Sequence, residues 1–400
     1  MKPKISISFN NGVIGAVTPL DTGCFGFVAS AVAVANGFQL GVAYQLKSMK
    51  DVADLKLTDS IDNHRLYKAL SEFYDEAGNG SEVWIYGMAK TTKVSDWFTP
   101  VAGITPVENL LNAAQGKIRG LFTINDSANA VTVTNGMDAD VLVAAGKAQT
   151  LFEAYTAAKY APFFTVLEAY AFNGDKVALP SLLTNNYNAV GILVGDTETN
   201  AGVTASKGAA VGVFAGRLAA YPVRVNPGKV RNGSLNAQAL FIKDTAVENY
   251  DTEALYDKGY ITFTTHQSRT GYYVMDASTA CAVGDDYHYL THRRTINEAF
   301  RFSYDAMLDF LLDEVPTTAA GKIDAIYAKT IESAVVRKIS TNMGDDLSKD
   351  QTDPTDIGVK AFVNPDQNIV STSKLDVVAQ IRPFGYNRWI NFLIGFELNN

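Results

Sequence analysis

The sequence predicts an α/β fold: a mixed sheet flanked by helices, followed by an α+β C-terminal domain, with extended strand arms at both termini. Three observations carry this expectation. Short apolar runs alternate with amphipathic helical stretches between residues 62 and 220, as in a mainly parallel sheet with helices packed on it. After residue 250 the pattern changes to a strand pair followed by two long helical periods. Both ends of the chain alternate with period two.

The first alternation places Ile5, Ile7 and Phe9 on one face and Lys4, Ser6 and Ser8 on the other, before Asn10-Asn11-Gly12 turns the chain. Residues 22–46 carry no charge, but the run is rich in Ala and Gly and is broken by Ser30, Asn36 and Gln39. Its Asn36-Gly37 pair predicts a hairpin between two buried strands and not a membrane span. Residues 62–77 follow as a helix with Leu66, Leu70, Phe73 and Tyr74 in one stripe, ended by Gly78-Asn79-Gly80. A strand at 81–88 is next, then strand 118–124, helix 140–160, strands 164–172 and 189–194, and helix 207–220. On the last helix Gly208, Gly212 and Gly216 recur every four residues, a smooth face expected to pack closely on the sheet.

Asn226-Pro227-Gly228 and Asn232-Gly233-Ser234 mark a loop, and the acidic stretch 244–257 is expected to begin a new unit. Strands at 260–265 and 271–275 pair. Thr295 and Glu298 have capping-box spacing, and Ile296, Phe300, Tyr304, Met307 and Leu311 predict a helix from Thr295 to Leu312, before Pro316. A second helix, 322–339, carries Ile323, Tyr327, Ile331, Val335 and Ile339 on one face. The loop 345–356 holds five Asp and Pro354 and is expected to be mobile. Two strands end the chain: Leu375, Val377, Ala379 and Ile381, then Ile390, Phe392, Ile394, Phe396 and Leu398, joined through Pro383-Phe384-Gly385-Tyr386. The expected divisions are an N-terminal arm (1–20), an α/β domain (21–250), a C-terminal domain (251–382) and a C-terminal strand arm (383–400).

Composition narrows the function classes. The 400 residues include 34 Lys and Arg against 42 Asp and Glu, a net charge of −8, which supplies no broad basic surface for nucleic acid or an anionic membrane. The two cysteines, Cys24 and Cys281, build neither a disulfide framework nor a zinc site. Met1–Ser6 lacks the apolar core and cleavage site of a secretory signal. No phosphate loop, strand-linked G-x-G-x-x-G or G-x-S-x-G elbow occurs, so no cofactor is expected. His288 and His292 have the spacing of a helical metal pair, but Tyr289 stands where a zincin needs Glu, and Arg293 and Arg294 oppose a cation. Asp196, after the apolar strand Ile192-Leu193-Val194-Gly195, occupies the position of a catalytic carboxylate in α/β enzymes, without an evident partner base.

Several stretches together resemble contractile tail sheath proteins. They are Gly259-Tyr260-Ile261-Thr262-Phe263, Gly271-Tyr272-Tyr273-Val274-Met275-Asp276, Tyr287-His288-Tyr289-Leu290-Thr291-His292, the Arg293-Arg294 pair opening a helix, and the terminal strand after Pro383 and Gly385. Gly12-Val13-Ile14-Gly15, residues 73–85 and residues 215–229 are similar to the family in outline. Met275-Asp276-Ala277-Ser278-Thr279 departs from the Trp-Gly-Ala-Arg-Thr run of many members, which marks a divergent branch, and the 400 residues imply a compact one with little room for the surface domains some members insert. The resemblance implies a sheath-type C-terminal domain and a structural protein, not an enzyme. It implies self-assembly into six-fold rings and a helical polymer around a tail tube protein, with baseplate and tail-terminator partners, in a virion tail or phage-like particle assembled in the host cytoplasm. It also implies that Ile5, Ile7, Phe9, Ile390, Phe392, Ile394 and Phe396 form inter-subunit strands. Two rival readings remain: another tail or baseplate component, and an α/β hydrolase-like enzyme using Asp196 or the histidine pair.

Overall fold

The structure, a computed structural model, describes residues 21–397 except Val203. The strand expected at Ile5, Ile7 and Phe9 lies outside the described residues. The chain divides into two compact units, 1–301 and 302–400.

In the first unit, β1 (Phe25–Ala31) is buried along its whole length, as its uncharged sequence requires of a strand covered on both faces. It pairs in parallel with β3 (Val83–Ala89) on one side and β4 (Gly120–Ile124) on the other. The ladder continues in parallel through β5 (Phe164–Glu168) and β6 (Val190–Leu193), while β2 (Ala43–Leu46) joins β3 antiparallel. The mixed six-stranded order is therefore β2-β3-β1-β4-β5-β6. The Asn36-Gly37 turn forms, with Asn36 at φ 52° and the Gly37 N–H donating to the Val34 carbonyl. The expected hairpin does not: β3 inserts between β1 and β2, because β1 is taken up on both edges by parallel partners.

Helices cover both faces. On one, α1 (His64–Ala77) and α4 (Val211–Ala219) bring Phe73 and Phe214 edge-on against Phe27 and Phe122. On the other, α2 (Pro106–Ala113) sets Leu110 beside Gly26, and α3 (Asp140–Lys159) packs on β5 and β6. Gly212 and Gly216 of α4 meet the backbone of α1 at Ala69 and Phe73, not the sheet as expected. A Cβ at Gly212 would lie 2.8 Å from the Ala69 carbonyl carbon and overlap its oxygen. Gly212→Ala is expected to force the helices apart and destabilise the unit by about 1–3 kcal/mol, read as a lower urea midpoint at unchanged slope.

The segment after residue 251 remains in the first unit. Ile261 donates to the Ile192 carbonyl and accepts from Val194, covering the free edge of β6, and Tyr260, Ile261 and Phe263 are fully buried in the same core. The expected strand pair forms as β7 (Phe263–His266) and β8 (Arg269–Val274). The helix expected from Thr295 to Leu312 is α5 (Leu290–Leu308), which starts more than a turn earlier. Thr295 is interior to it, donating its hydroxyl to the Thr291 carbonyl, and Glu298 pairs with Arg119, so the capping-box spacing marks no helix start.

In the second unit, α6 (Ala325–Met343) is capped by Asp324, which accepts from the Ile326 and Tyr327 N–H groups. It packs on an antiparallel pair, β9 (Val359–Val363) and β10 (Val377–Ile381), around Ile323, Ala328, Ile331 and Val363. Glu332 accepts from the Val363 N–H at 3.0 Å, tying helix to strand. The loop 345–356 is a series of turns that buries Leu347 and pairs Asp356 with Arg382. Beyond Ile381 the described chain, to residue 397, contains no strand, so the strand expected from Ile390 is not formed among the described residues. Among the described residues no helix is long and apolar enough to cross a membrane.

Candidate functional site

Two features stand out: an exposed apolar arm and a buried charge cluster. In the arm, Ile390, Phe392, Ile394 and Phe396 are each at least 79% exposed. Trp389 and Leu393, on the opposite row, are as open, and sequence alternation alone passed them over. Six large apolar side chains within eight residues far exceed the scattered exposure of a monomer surface. Pro383 and Gly385, which open the arm, are also exposed. Next to the arm in sequence, β9 and β10 form a ladder of only two strands, each with an outer edge that no third strand covers among the described residues. On the ladder's outward face Phe362 stands opposite Val378, both half-exposed, with Lys360 beside them. Such an edge, with an apolar face, accepts an added strand.

Arg293 and Arg294 are not at a surface. Arg293 is buried with its guanidinium 4.0 Å from the Tyr287 ring centroid and 5.2 Å from that of Phe152. Burial there lowers its pKa to about 10. Arg294 donates to the carbonyls of Leu218 and Tyr221 at the end of α4. The double arginine therefore anchors the first turns of α5 to the first unit. His288 is buried, with Nδ1 3.0 Å from the Cys281 carbonyl oxygen. Among the described residues no group of three or more His, Cys, Asp or Glu is placed to hold a metal.

Asp196 sits at the carboxyl end of β6, where open α/β sheets place ligands. Its oxygens are taken: Oδ2 by Arg65 at 2.7 Å and by Ser206, Oδ1 by Lys68 and by the Thr197 N–H. Burial alone raises the Asp196 carboxyl, but Lys68 and Arg65 outweigh it and hold it well below the usual carboxylate range. Arg65 also pairs with Glu168, whose carboxylate accepts from the Asn125 and Ala209 N–H groups at 2.6 and 2.9 Å. Burial still pushes Glu168 upward, against the pull of Arg65. Glu72, paired with Lys68 and bound by the Thr197 hydroxyl, is raised for the same reason. The cavity beside Asp196 measures about 20 Å³, room for one water and not for a substrate. Sequence reasoning found Asp196 alone. The missed signal is Arg65, Glu72 and Glu76 on the buried side of an otherwise apolar helix face.

Comparison with known proteins follows this geometry. The family model described as DUF2586, N-terminal domain, matches residues 2–278, and the one described as DUF2586, C-terminal domain, matches residues 286–400. No curated protein matches the sequence significantly. Solved structures do match over nearly the whole chain. A chain of the anti-feeding prophage (AFP) baseplate, six-fold symmetrised, aligns at TM-score 0.63 and 14% identity, covering 100% of this chain and 99% of that one. The AFP helical sheath in its contracted state aligns at 0.64 and 16%, covering 99% of each. The PVC sheath complex of an extracellular contractile injection system, also contracted, aligns at 0.58 and 14%, covering 99% of this chain and 98% of that one. At these identities the likeness is one of fold, and it runs from end to end.

Proposed function

The chain belongs to the DUF2586 family, and from that premise we propose that it is a structural subunit of a contractile sheath, acting by polymerisation and not by catalysis. The observation that carries this reading is the likeness in fold to AFP and PVC sheath chains over 98–99% of their length. In this reading subunits stack as six-fold rings around a tail tube protein, bounded by baseplate and tail-terminator proteins, in a tail or phage-like particle assembled in the host cytoplasm. Contraction is a rigid-body rearrangement of subunits that stay linked by strands.

The arm supports the reading on physical grounds. Residues 390–396 have the alternation of a strand and no strand partner among the described residues, while β9 and β10 offer edges that no third described strand covers. Arms from neighbouring copies, Ile5, Ile7 and Phe9 at one end and Ile390, Phe392, Ile394 and Phe396 at the other, fill those edges. Two links per subunit, closed into rings, turn marginal contacts into a cooperative polymer.

The test is negative-stain microscopy of the purified chain together with sedimentation velocity. Hollow cylinders with six-fold end views are expected. The likeness to an AFP baseplate chain favours a second reading, a ring-forming baseplate component, and isolated rings without cylinders would select it. Monomers at every concentration would overturn both.

A further inference from the structure

His64, the first residue of α1, lies between two carboxylates from different parts of the chain. Its Nδ1 is 2.5 Å from Asp59 Oδ1, in the segment ahead of the helix, and its Nε2 is 2.7 Å from Glu198 Oε1, in the segment after β6. A carboxylate oxygen only accepts, so each ring nitrogen facing one must carry a proton. Neutral imidazole carries a single proton and the imidazolium carries two. We propose that His64 is a pH-responsive clamp: its imidazolium holds the segment 196–206, between β6 and α4, against the start of α1, and loss of one ring proton releases the middle of that segment.

The charges around the ring define what is released. On α1, Lys68 lies one turn on, with Nζ 3.9 Å from Glu198 Oε2, and Arg65 beside His64 is committed to Asp196 and Glu168. Glu72 faces Lys68 and Thr197. On the segment itself, Asp196 and Ser206 are held by Arg65 near the two ends, and Arg65 keeps its charge at any pH of interest. Release of His64 therefore loosens the residues around Glu198, with the Asn200 N–H still bonded to Asp244 at 2.9 Å and the Ser206 N–H to the Thr199 carbonyl, without dismantling the cluster.

Burial works against the charged ring, but the hydrogen bonds and charges of Asp59 and Glu198 outweigh it, and the His64 pKa lies above its ordinary 6.5. A folded pKa above the unfolded one means the stabilisation is complete below about pH 6.5 and is lost as pH rises through the higher folded value. Asp59 is 60% exposed, so the Glu198 half of the clamp carries most of the effect.

The experiment is hydrogen exchange of the full chain at pH 6 and pH 9, corrected for intrinsic rates, with His64→Gln for comparison. Amides of 198–202 are expected to lose protection several-fold relative to those of α4 between the two pH values. His64→Gln should show the lower protection at both. Should His64→Gln fail to fold, Glu198→Gln gives the answer by NMR, since it should lower the His64 pKa while leaving Arg65 and Asp196 paired. Protection that ignores pH in the wild type, pH dependence that survives in His64→Gln, or a His64 pKa unmoved by Glu198→Gln would each overturn the clamp.

Discussion

Replacing Ile390, Phe392, Ile394 and Phe396 by aspartate is expected to abolish cylinders while leaving the melting temperature of the subunit unchanged. All four side chains are already at least 79% exposed in the isolated chain, so they contribute little to its own core. Buried in a neighbour, each is worth about 1.5–3 kcal/mol, or roughly 6–12 kcal/mol together. Backbone hydrogen bonds to a strand edge add about 1 kcal/mol each. Association costs about 4–15 kcal/mol, so losing the apolar part of one arm moves each link from marginally favourable to unfavourable. Sedimentation velocity and thermal melting on the same samples check the result. A melting temperature that falls with the polymers would mean the arm belongs to its own subunit's core.

Replacing Arg65 by alanine is expected to be the most damaging single change, lowering the stability of the first unit by about 3–5 kcal/mol. The guanidinium is the shared partner of two carboxylates, Glu168 and Asp196, whose side chains are almost fully buried. Without it Glu168 is left in the interior with backbone N–H donors but no cation, and Asp196 keeps Lys68 alone. The loss should shrink in acid. The depressed Asp196 pKa, held down by Lys68 and then Arg65, gives stability that is complete above about pH 3.9 and disappears as pH falls through the lower folded value, and the variant no longer has the Arg65 part of it to lose. Urea titrations at pH 7 and at about pH 2, inside that window, measure both effects. A change below about 1 kcal/mol at pH 7 would show that the cluster does not depend on Arg65.

The parts of the fold legible in sequence were those specified by local signals. β1, α1, β3, α3 and α6 are apolar runs or stripes bounded by Gly, Asn or Asp, and the structure has them within a few residues of the expected ends. What sequence could not supply was pairing at a distance. The Asn36-Gly37 turn is real, yet the partner of β2 is β3, some forty residues on. The glycines of α4 were read correctly as a close-packing face but assigned to the sheet, because helix and sheet neighbours demand the same smoothness. Arg65 looked like an ordinary helix residue since its carboxylate partners lie 103 and 131 positions away. Thr295 and Glu298 show the opposite failure, a local capping pattern overridden when α5 began at Leu290 and carried both residues inside. The arm was legible as alternation, but the same alternation predicts a paired strand as readily as an open one, and only exposure separates the two.

The central claim, that the C-terminal arm completes the sheet of another copy, is tested most directly by a cryo-microscopy map of the assembled polymer traced through residues 383–397. The account predicts that density leaves its own subunit after Arg382 and runs as a strand along the edge of the β9–β10 pair of a neighbour. Density that turns back and pairs with the β9–β10 edge of the same subunit would contradict it.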